Sequence, residues 1–144
     1  MRVVDIDAGE THALRRRVLR DDRPDADVDY PGDHVPGAFH LGLVNDDESL
    51  IGVATLSPEP TPHRAGRRAL RLRGMAVEPS RQGAGGGGLL LDAAVERARR
   101  EGYQVVWANG RDTALRFYQA RGWQVVGEGF VTIDLPHHVI LLDL

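Results

Sequence analysis

The chain has 144 residues, of which 42% are hydrophobic and 27% charged, a composition typical of one globular domain spanning residues 1–144. It contains no cysteine, which excludes disulfides, thiolate metal sites and a cysteine nucleophile. All 18 basic residues are arginine, which also excludes a Schiff-base lysine and a Walker-type phosphate lysine. The sequence has no apolar run of about 18 residues and no recognisable signal segment, which predicts a cytoplasmic protein without a membrane span.

The periodicity of apolar residues predicts seven strands and three helices in the order β-α-β-β-β-α-β-α-β-β. The predicted strands are residues 2–6, 38–45, 49–56, 67–77, 104–108, 123–127 and 139–144, the last beginning near His137. The predicted helices are residues 8–20, a helix that follows a glycine-rich turn and ends at Gly102, and residues 112–121. A run of strands followed by strand–helix–strand crossovers predicts a mixed α/β sheet with helices on its faces.

The net charge of −3 is unevenly distributed along the chain. Residues 1–50 carry 6 arginines against 12 acidic residues, and residues 51–144 carry 12 arginines against 9. The basic part suits an anionic ligand and the acidic part a cationic one, with two solvated faces of uneven charge as the alternative. The negative net charge and the scattered arginines argue against nucleic-acid binding.

The stretch VEPSRQGAGGGGLLL, residues 77–91, leads from a predicted strand through five glycines into a helix. Such a turn directs unpaired N–H groups and the positive end of the helix dipole at an anion. A dinucleotide-binding turn is one interpretation, although several strands already precede it and Glu101 lies at a helix end. A flexible hinge is another, although each glycine in a helix start costs roughly 1 kcal/mol relative to alanine.

Two segments match a more specific pattern. After a strand, Gln82, Gly85 and Gly87 occupy the fixed positions of the motif Q/R-x-x-G-x-G/A. Residues 107–123, WANGRDTALRFYQARGW, match N-A-R-x-x-A-x-x-F-Y-x-x-x-G-F. Both motifs, in this order, resemble those of the GNAT superfamily of N-acetyltransferases. The resemblance implies a central mixed sheet of about six or seven strands, with helices on both faces and two splayed parallel strands in the middle.

The resemblance further implies acetyl-CoA as the cosubstrate. Its pyrophosphate would meet the backbone amides of the glycine turn, and its pantetheine arm would lie between the splayed strands. An N–H near Val77 would stabilise the oxyanion that forms on the acetyl carbonyl. The implied cofactor-binding residues are Met75, Val77, Arg81, Gln82, Gly83, Ala84, Gly85, Gly86, Gly87, Asn109 and Tyr118.

Tyr118 is the candidate general acid, since a phenol can protonate the departing thiolate; a core aromatic is the alternative. The general base is harder to assign, because the strand before the turn carries Arg71 and Arg73 where similar proteins place a glutamate. His137 is the candidate base, with a water relay as the alternative. His40 and His138 are further histidines near strand ends.

The resulting hypothesis is direct acetyl transfer to a primary amine, and the alternative is a non-catalytic acyl-CoA-binding module. The acidic loop of residues 21–33, with Tyr30, is expected to line the acceptor side and to favour a cationic amine. No His, Asp and Glu cluster has metal-site spacing, which predicts no metal. Similar proteins dimerise through C-terminal strands, so a homodimer is a further expectation.

Overall fold

The computed structural model describes all 144 residues and contains the predicted elements in the predicted order. The strands are β1 (Arg2–Ile6), β2 (Phe39–Val44), β3 (Leu50–Pro58), β4 (Ala69–Val77), β5 (Val105–Arg111), β6 (Gln124–Thr132) and β7 (Leu135–Asp143). The segment α1 comprises a 3-10 turn (Ala8–Thr11), an α-helical turn (His12–Leu14) and a π-helical turn (Arg15–Leu19). Helix α2 is Gly86–Arg100, and α3 is the 3-10 turn Asp112–Ala114 followed by Leu115–Gln119. No helix is both long and apolar enough to cross a membrane.

The seven strands form one mixed sheet in the order β1-β2-β3-β4-β5-β7-β6. All neighbours are antiparallel except β4 and β5. These two parallel strands pair only between Ala69–Arg71 and Val105–Trp107. Beyond this point they separate, which confirms the splayed parallel pair in the middle of the sheet.

The C-terminal strands are longer than predicted. Strand β5 continues to Arg111 because its last residues pair with β7, as Asn109 does with Val139. Strand β6 continues to Thr132 because it forms a hairpin with β7 across the two-residue turn Ile133–Asp134. Glycines at positions 127 and 129 interrupt the apolar alternation within β6, so the sequence pattern ended the strand too early.

A bulge in β4 changes which face its side chains occupy. Val53 of β3 lies opposite Ala76, whereas Thr55 lies opposite Arg73, so β4 has one extra residue there. Gly74, in this bulge, has φ +61°. A Cβ added at this position would lie 2.9 Å from Arg15 Nε, so no larger residue fits without displacement.

Helices cover both faces of the sheet, as predicted. Helices α2 and α3 bury Leu90, Leu91, Ala94 and Tyr118 in the main core, together with Leu70 and Leu72 of β4. The α1 segment covers the other face, where Leu14 packs with Val53 and Ala76. Because of the bulge, Met75 and Val77 pack on the α2 side, whereas Arg71 and Arg73 precede the bulge on the opposite face.

The loop between α1 and β2 is fixed by an ion pair between buried side chains. Arg15 and Asp33 both have fully buried side chains, and their two nitrogen–oxygen distances are 2.7 and 2.8 Å. Arg15 also donates to the Val28 carbonyl and to Thr55 Oγ1. The acidic loop is therefore tied to the sheet, and Tyr30 is held at its edge beside Gly74.

Candidate active site

The glycine turn presents five backbone N–H groups that donate no hydrogen bond within the protein. They belong to Gly83 and to the four consecutive residues from Gly85 to Gly88. Gly83 and Gly85 have φ values of +84° and +89°, a conformation that the missing Cβ makes accessible. No side chain caps α2, so its N-terminus is open to an anion, which the helix dipole also favours.

The gap between β4 and β5 opens into a cleft of about 510 Å³ beside this turn. In this gap Val77 lies opposite Gly52, while the N–H of Glu78 donates to the Ile51 carbonyl of β3. Because the direction of the bonds alternates along a strand, the N–H of Val77 points away from β3 and into the gap. Gln82 Nε2 donates to the Val77 carbonyl at 3.0 Å, so this amide currently closes the turn onto the strand.

Tyr118 lines the cleft from α3. Its ring is wedged between Phe117 and Trp123, with ring centroids 5.1 and 5.3 Å away, and only 7% of the residue is exposed. Burial raises the pKa of Tyr118 to about 12, and its hydroxyl donates to no protein group. The phenol is therefore protonated at neutral pH and free to donate to a ligand in the cleft.

The remaining predicted cofactor residues divide into two groups. Met75, Val77, Gln82 and Asn109 line the cleft, and the Asn109 side chain makes no hydrogen bond to protein. Arg81, Gly83, Ala84 and Gly85 form the exposed turn at its mouth, and Gly86 and Gly87 start α2. Of the turn, only Gln82 is among the residues that line the cleft, and the glycines follow it directly in the sequence. Glu78, close to the turn, forms an ion pair with Arg17.

Of the candidate bases, His137 alone lines the cleft. Its Nδ1–H donates to the Leu135 carbonyl at 2.8 Å, which leaves Nε2 as the proton-accepting nitrogen of the neutral ring. His138 bonds Asp112 instead, at 2.7 Å. His40 is buried outside the cleft, where it contacts Thr55 Oγ1 at 2.7 Å.

The expectation of an acidic acceptor side is wrong. No carboxylate lines the cleft, and from the acidic loop only Tyr30 does so. Four arginines line it instead: Arg20, Arg71, Arg73 and Arg111. The loop carboxylates are directed elsewhere because Asp33 pairs with Arg15 and Asp29 pairs with His34. Alternation along β4 could have indicated that Arg71 and Arg73 share a face, but not that they face a cavity.

One cluster has geometry that a metal could use. Ligand atoms of His12, Asp29 and Asp33 lie within 4.8 Å of one another, although these residues are far apart in the sequence. Both Asp33 oxygens already accept hydrogen bonds from Arg15. The cluster is therefore part of the loop's ion-pair network.

Known acetyltransferases resemble this chain in both sequence and structure. The model of the acetyltransferase (GNAT) family matches residues 8–123. The chain is 32% identical over 141 residues to the uncharacterized N-acetyltransferase YitI of Bacillus subtilis, covering 98% of this chain and 94% of that protein. An acyl-CoA N-acyltransferase from Pseudomonas aeruginosa superposes with a TM-score of 0.77 at 18% identity, covering 96% and 97% of the two chains.

A structure of aminoglycoside 6'-N-acetyltransferase complexed with coenzyme A superposes with a TM-score of 0.76 at 15% identity, covering 99% of this chain and 97% of that one. At this identity the likeness concerns the fold. The same fold therefore occurs in chains of very different sequence.

Proposed function

Because the chain belongs to the acetyltransferase (GNAT) family, we propose that it transfers an acetyl group from acetyl-CoA directly to a primary amine. The observation that carries the proposal is the cleft that runs from Gln82, next in sequence to the unpaired amides of the turn, past Val77 to Tyr118. The chain has no cysteine, so no cysteine thiol is available to form an acetyl-enzyme intermediate.

The turn is the proposed pyrophosphate site. Five unpaired N–H groups at a helix N-terminus provide both hydrogen bonds and a favourable potential for the two phosphates. Exposed Arg81 adds positive charge at the same place. The pantetheine arm would then enter the gap where β4 and β5 no longer pair, and would replace Gln82 at the Val77 backbone.

The chemistry follows from the groups along the cleft. The neutral amine attacks the thioester carbonyl, and the Val77 N–H donates to the developing oxyanion. The C–S bond breaks, the sulfur receives a proton from Tyr118, and the proton lost by the amine leaves through His137 Nε2. Because the pKa of Tyr118 is about 12, above that of an ordinary thiol near 8.5, transfer of its proton to the sulfur is uphill by itself, and the proton that the amine releases restores the phenol and completes the exchange.

Two measurements test the proposal. Acetyl-CoA, but not NAD(P), should raise the melting temperature, since the proposal assigns the gap to a pantetheine arm, which NAD(P) lacks. Thiol release from acetyl-CoA should then depend on an added amine from a panel of amino acids, small amines, aminoglycosides and peptides. Stabilisation by acetyl-CoA without thiol release from any acceptor would favour the non-catalytic acyl-CoA-binding module instead.

A further inference from the structure

Four arginines face the cleft without a carboxylate among its lining residues. The Arg20 side chain donates only to the Leu19 carbonyl and, at 3.5 Å, to the Tyr30 hydroxyl. The Arg111 side chain makes no hydrogen bond or ion pair. A cavity lined in this way favours anions over cations.

Arg73 is the most unusual of the four. Its side chain is half-buried yet forms neither an ion pair nor a hydrogen bond, and its guanidinium carbon lies 4.8 Å from the Tyr30 ring centroid. Burial, and then the neighbouring Arg71, lowers its pKa. Arg15 lies 4.0 Å from the same ring but is bonded to Asp33 in bidentate fashion. Arg15 and Arg73 therefore both lie over the Tyr30 ring, and only Arg15 has a carboxylate as counterion.

Arg71 also has unused hydrogen-bonding capacity. Its Nη1 donates to Glu59 at 3.2 Å, while its buried Nε has no partner. A buried donor without a partner is destabilising, so a group that accepts a hydrogen bond from this guanidinium is favoured. The planar guanidinium fork suits two-oxygen groups such as a carboxylate or a phosphate.

Arg71 and Arg73 lie where the acceptor, rather than the cofactor, would bind. Arg73 precedes Val77 by four residues, about 13 Å along the strand and away from the glycine turn. It also lies before the bulge, on the sheet face opposite the core that holds Tyr118. A cofactor that enters from the turn would place its acyl end near Val77, with Arg71 and Arg73 beyond it.

We propose that the acceptor amine also carries an anionic group, a carboxylate or a phosphate, which Arg73 and Arg71 bind while the amine faces the thioester. This inference rests on the proposed acetyl transfer for its orientation. It disfavours polycationic acceptors, because they would bring further positive charge to four arginines. Binding of the anion supplies the counterion that Arg73 lacks.

The test compares acceptors that differ only in the anionic group. Amino acids are assayed against their carboxamides, and O-phosphoethanolamine against ethanolamine, with thiol release as the readout. We expect kcat/KM at least tenfold higher for the anionic member of the best pair. Because a carboxamide has the less basic and more readily deprotonated amine, amine reactivity alone would give the opposite order. The two series distinguish a carboxylate from a phosphate.

The variant Arg73→Gln should abolish this preference, mainly through KM for the anionic acceptor, with KM for acetyl-CoA unchanged. Its melting temperature should equal or exceed that of the wild type, since an unpaired cation is removed. Arg99→Gln removes an exposed, unpaired arginine of α2 and is the matched control. Equal or faster reaction of neutral and cationic amines, or an unchanged preference in Arg73→Gln, would overturn the inference.

Direct binding separates this inference from the proposed reaction. Saturation-transfer NMR with the same compounds, in the presence of CoA, should detect the anionic members on wild type and not on Arg73→Gln. If they bind in this way but no acceptor releases thiol, acetyl transfer fails and the anion site stands. If no anionic member binds the wild type, the anion site is wrong, whatever the enzyme acetylates.

Discussion

At the scale of single residues, Tyr118 is the side chain on which the proposed chemistry depends most. Removing its hydroxyl in Tyr118→Phe keeps the ring packing against Phe117 and Trp123, so the fold should be retained. We expect kcat to fall by about 10²–10⁴-fold, the range of a lost proton donor, with little change in KM for acetyl-CoA. Thiol-release kinetics on the best acceptor measure both values.

The pH profile sharpens this prediction. Because the pKa of Tyr118 is about 12, the phenol stays protonated up to about pH 10, so wild type and Tyr118→Phe should have profiles of the same shape. Tyr103→Phe is the control, since Tyr103 lies in the same core but does not line the cleft. If Tyr118→Phe keeps the wild-type kcat, Tyr118 has only a packing role and is not the general acid.

At this scale the motifs indicated residues that line the cleft, whereas charge pairing had no signal in the sequence. Gln82, Asn109 and Tyr118 were identified because their motifs fix their spacing, and all three line the cleft. Arg15 is one of three consecutive arginines, and its partner Asp33 is 18 residues away. Nothing local distinguishes it from the two arginines that follow it. The same holds for Arg73, whose lack of a partner is a property of the folded cavity.

At the scale of elements, the start of α2 explains why glycines are concentrated there. A Cβ added at Gly86 would lie 2.5 Å from Leu43 Cδ2 in the closed core, and one added at Gly88 would overlap Arg121. Arg121 crosses the helix there to reach Asp92 at 2.7 Å. At Gly87, in contrast, a Cβ would make an ordinary contact of 3.5 Å with the Phe117 ring.

Adjacent glycines of this turn should therefore respond in opposite directions. Gly87→Ala is expected to stabilise the protein by about 0.5–1 kcal/mol through helix propensity. Gly86→Ala is expected to destabilise it by about 1–3 kcal/mol, because Leu43 is fully buried and cannot move freely. Urea unfolding of both variants gives the comparison. Equal shifts would mean that backbone entropy, rather than the Leu43 contact, governs this turn.

The element order was predictable from periodicity, whereas the details that shape the cleft were not. The apolar stripe of Leu90, Leu91 and Ala94 identifies α2, and these residues are buried as expected. The bulge at Gly74 depends on β3 pairing and on the approach of Arg15 and Tyr30, so it has no local signature. Pairing with β7 likewise extends β5 and β6 beyond the residues that their apolar patterns indicated.

At the scale of the whole molecule, one hydrogen-bonded network joins α1, the acidic loop, β2 and β3. Arg15 Nη2 donates to Thr55 Oγ1, which can donate in turn to His40 Nδ1 at 2.7 Å. His40 Nε2 then donates to the Asp33 carbonyl at 3.3 Å. This direction of donation corresponds to a neutral ring with its proton on Nε2.

The network should make the fold sensitive to mild acid. Burial is the main reason that the pKa of His40 is lowered, so the unfolded chain takes up this proton first. Stability from neutral His40 is therefore complete above about pH 6.5 and is lost as pH falls through the folded pKa, with a slope of at most about 1.4 kcal/mol per pH unit.

Urea unfolding from pH 7.5 to 5 measures this effect. The variant His40→Gln should be less stable than wild type at pH 7.5 but should lose less stability on acidification. His63→Gln, at an exposed histidine outside this network, should keep the wild-type slope. Parallel curves for wild type and His40→Gln would place the acid sensitivity elsewhere.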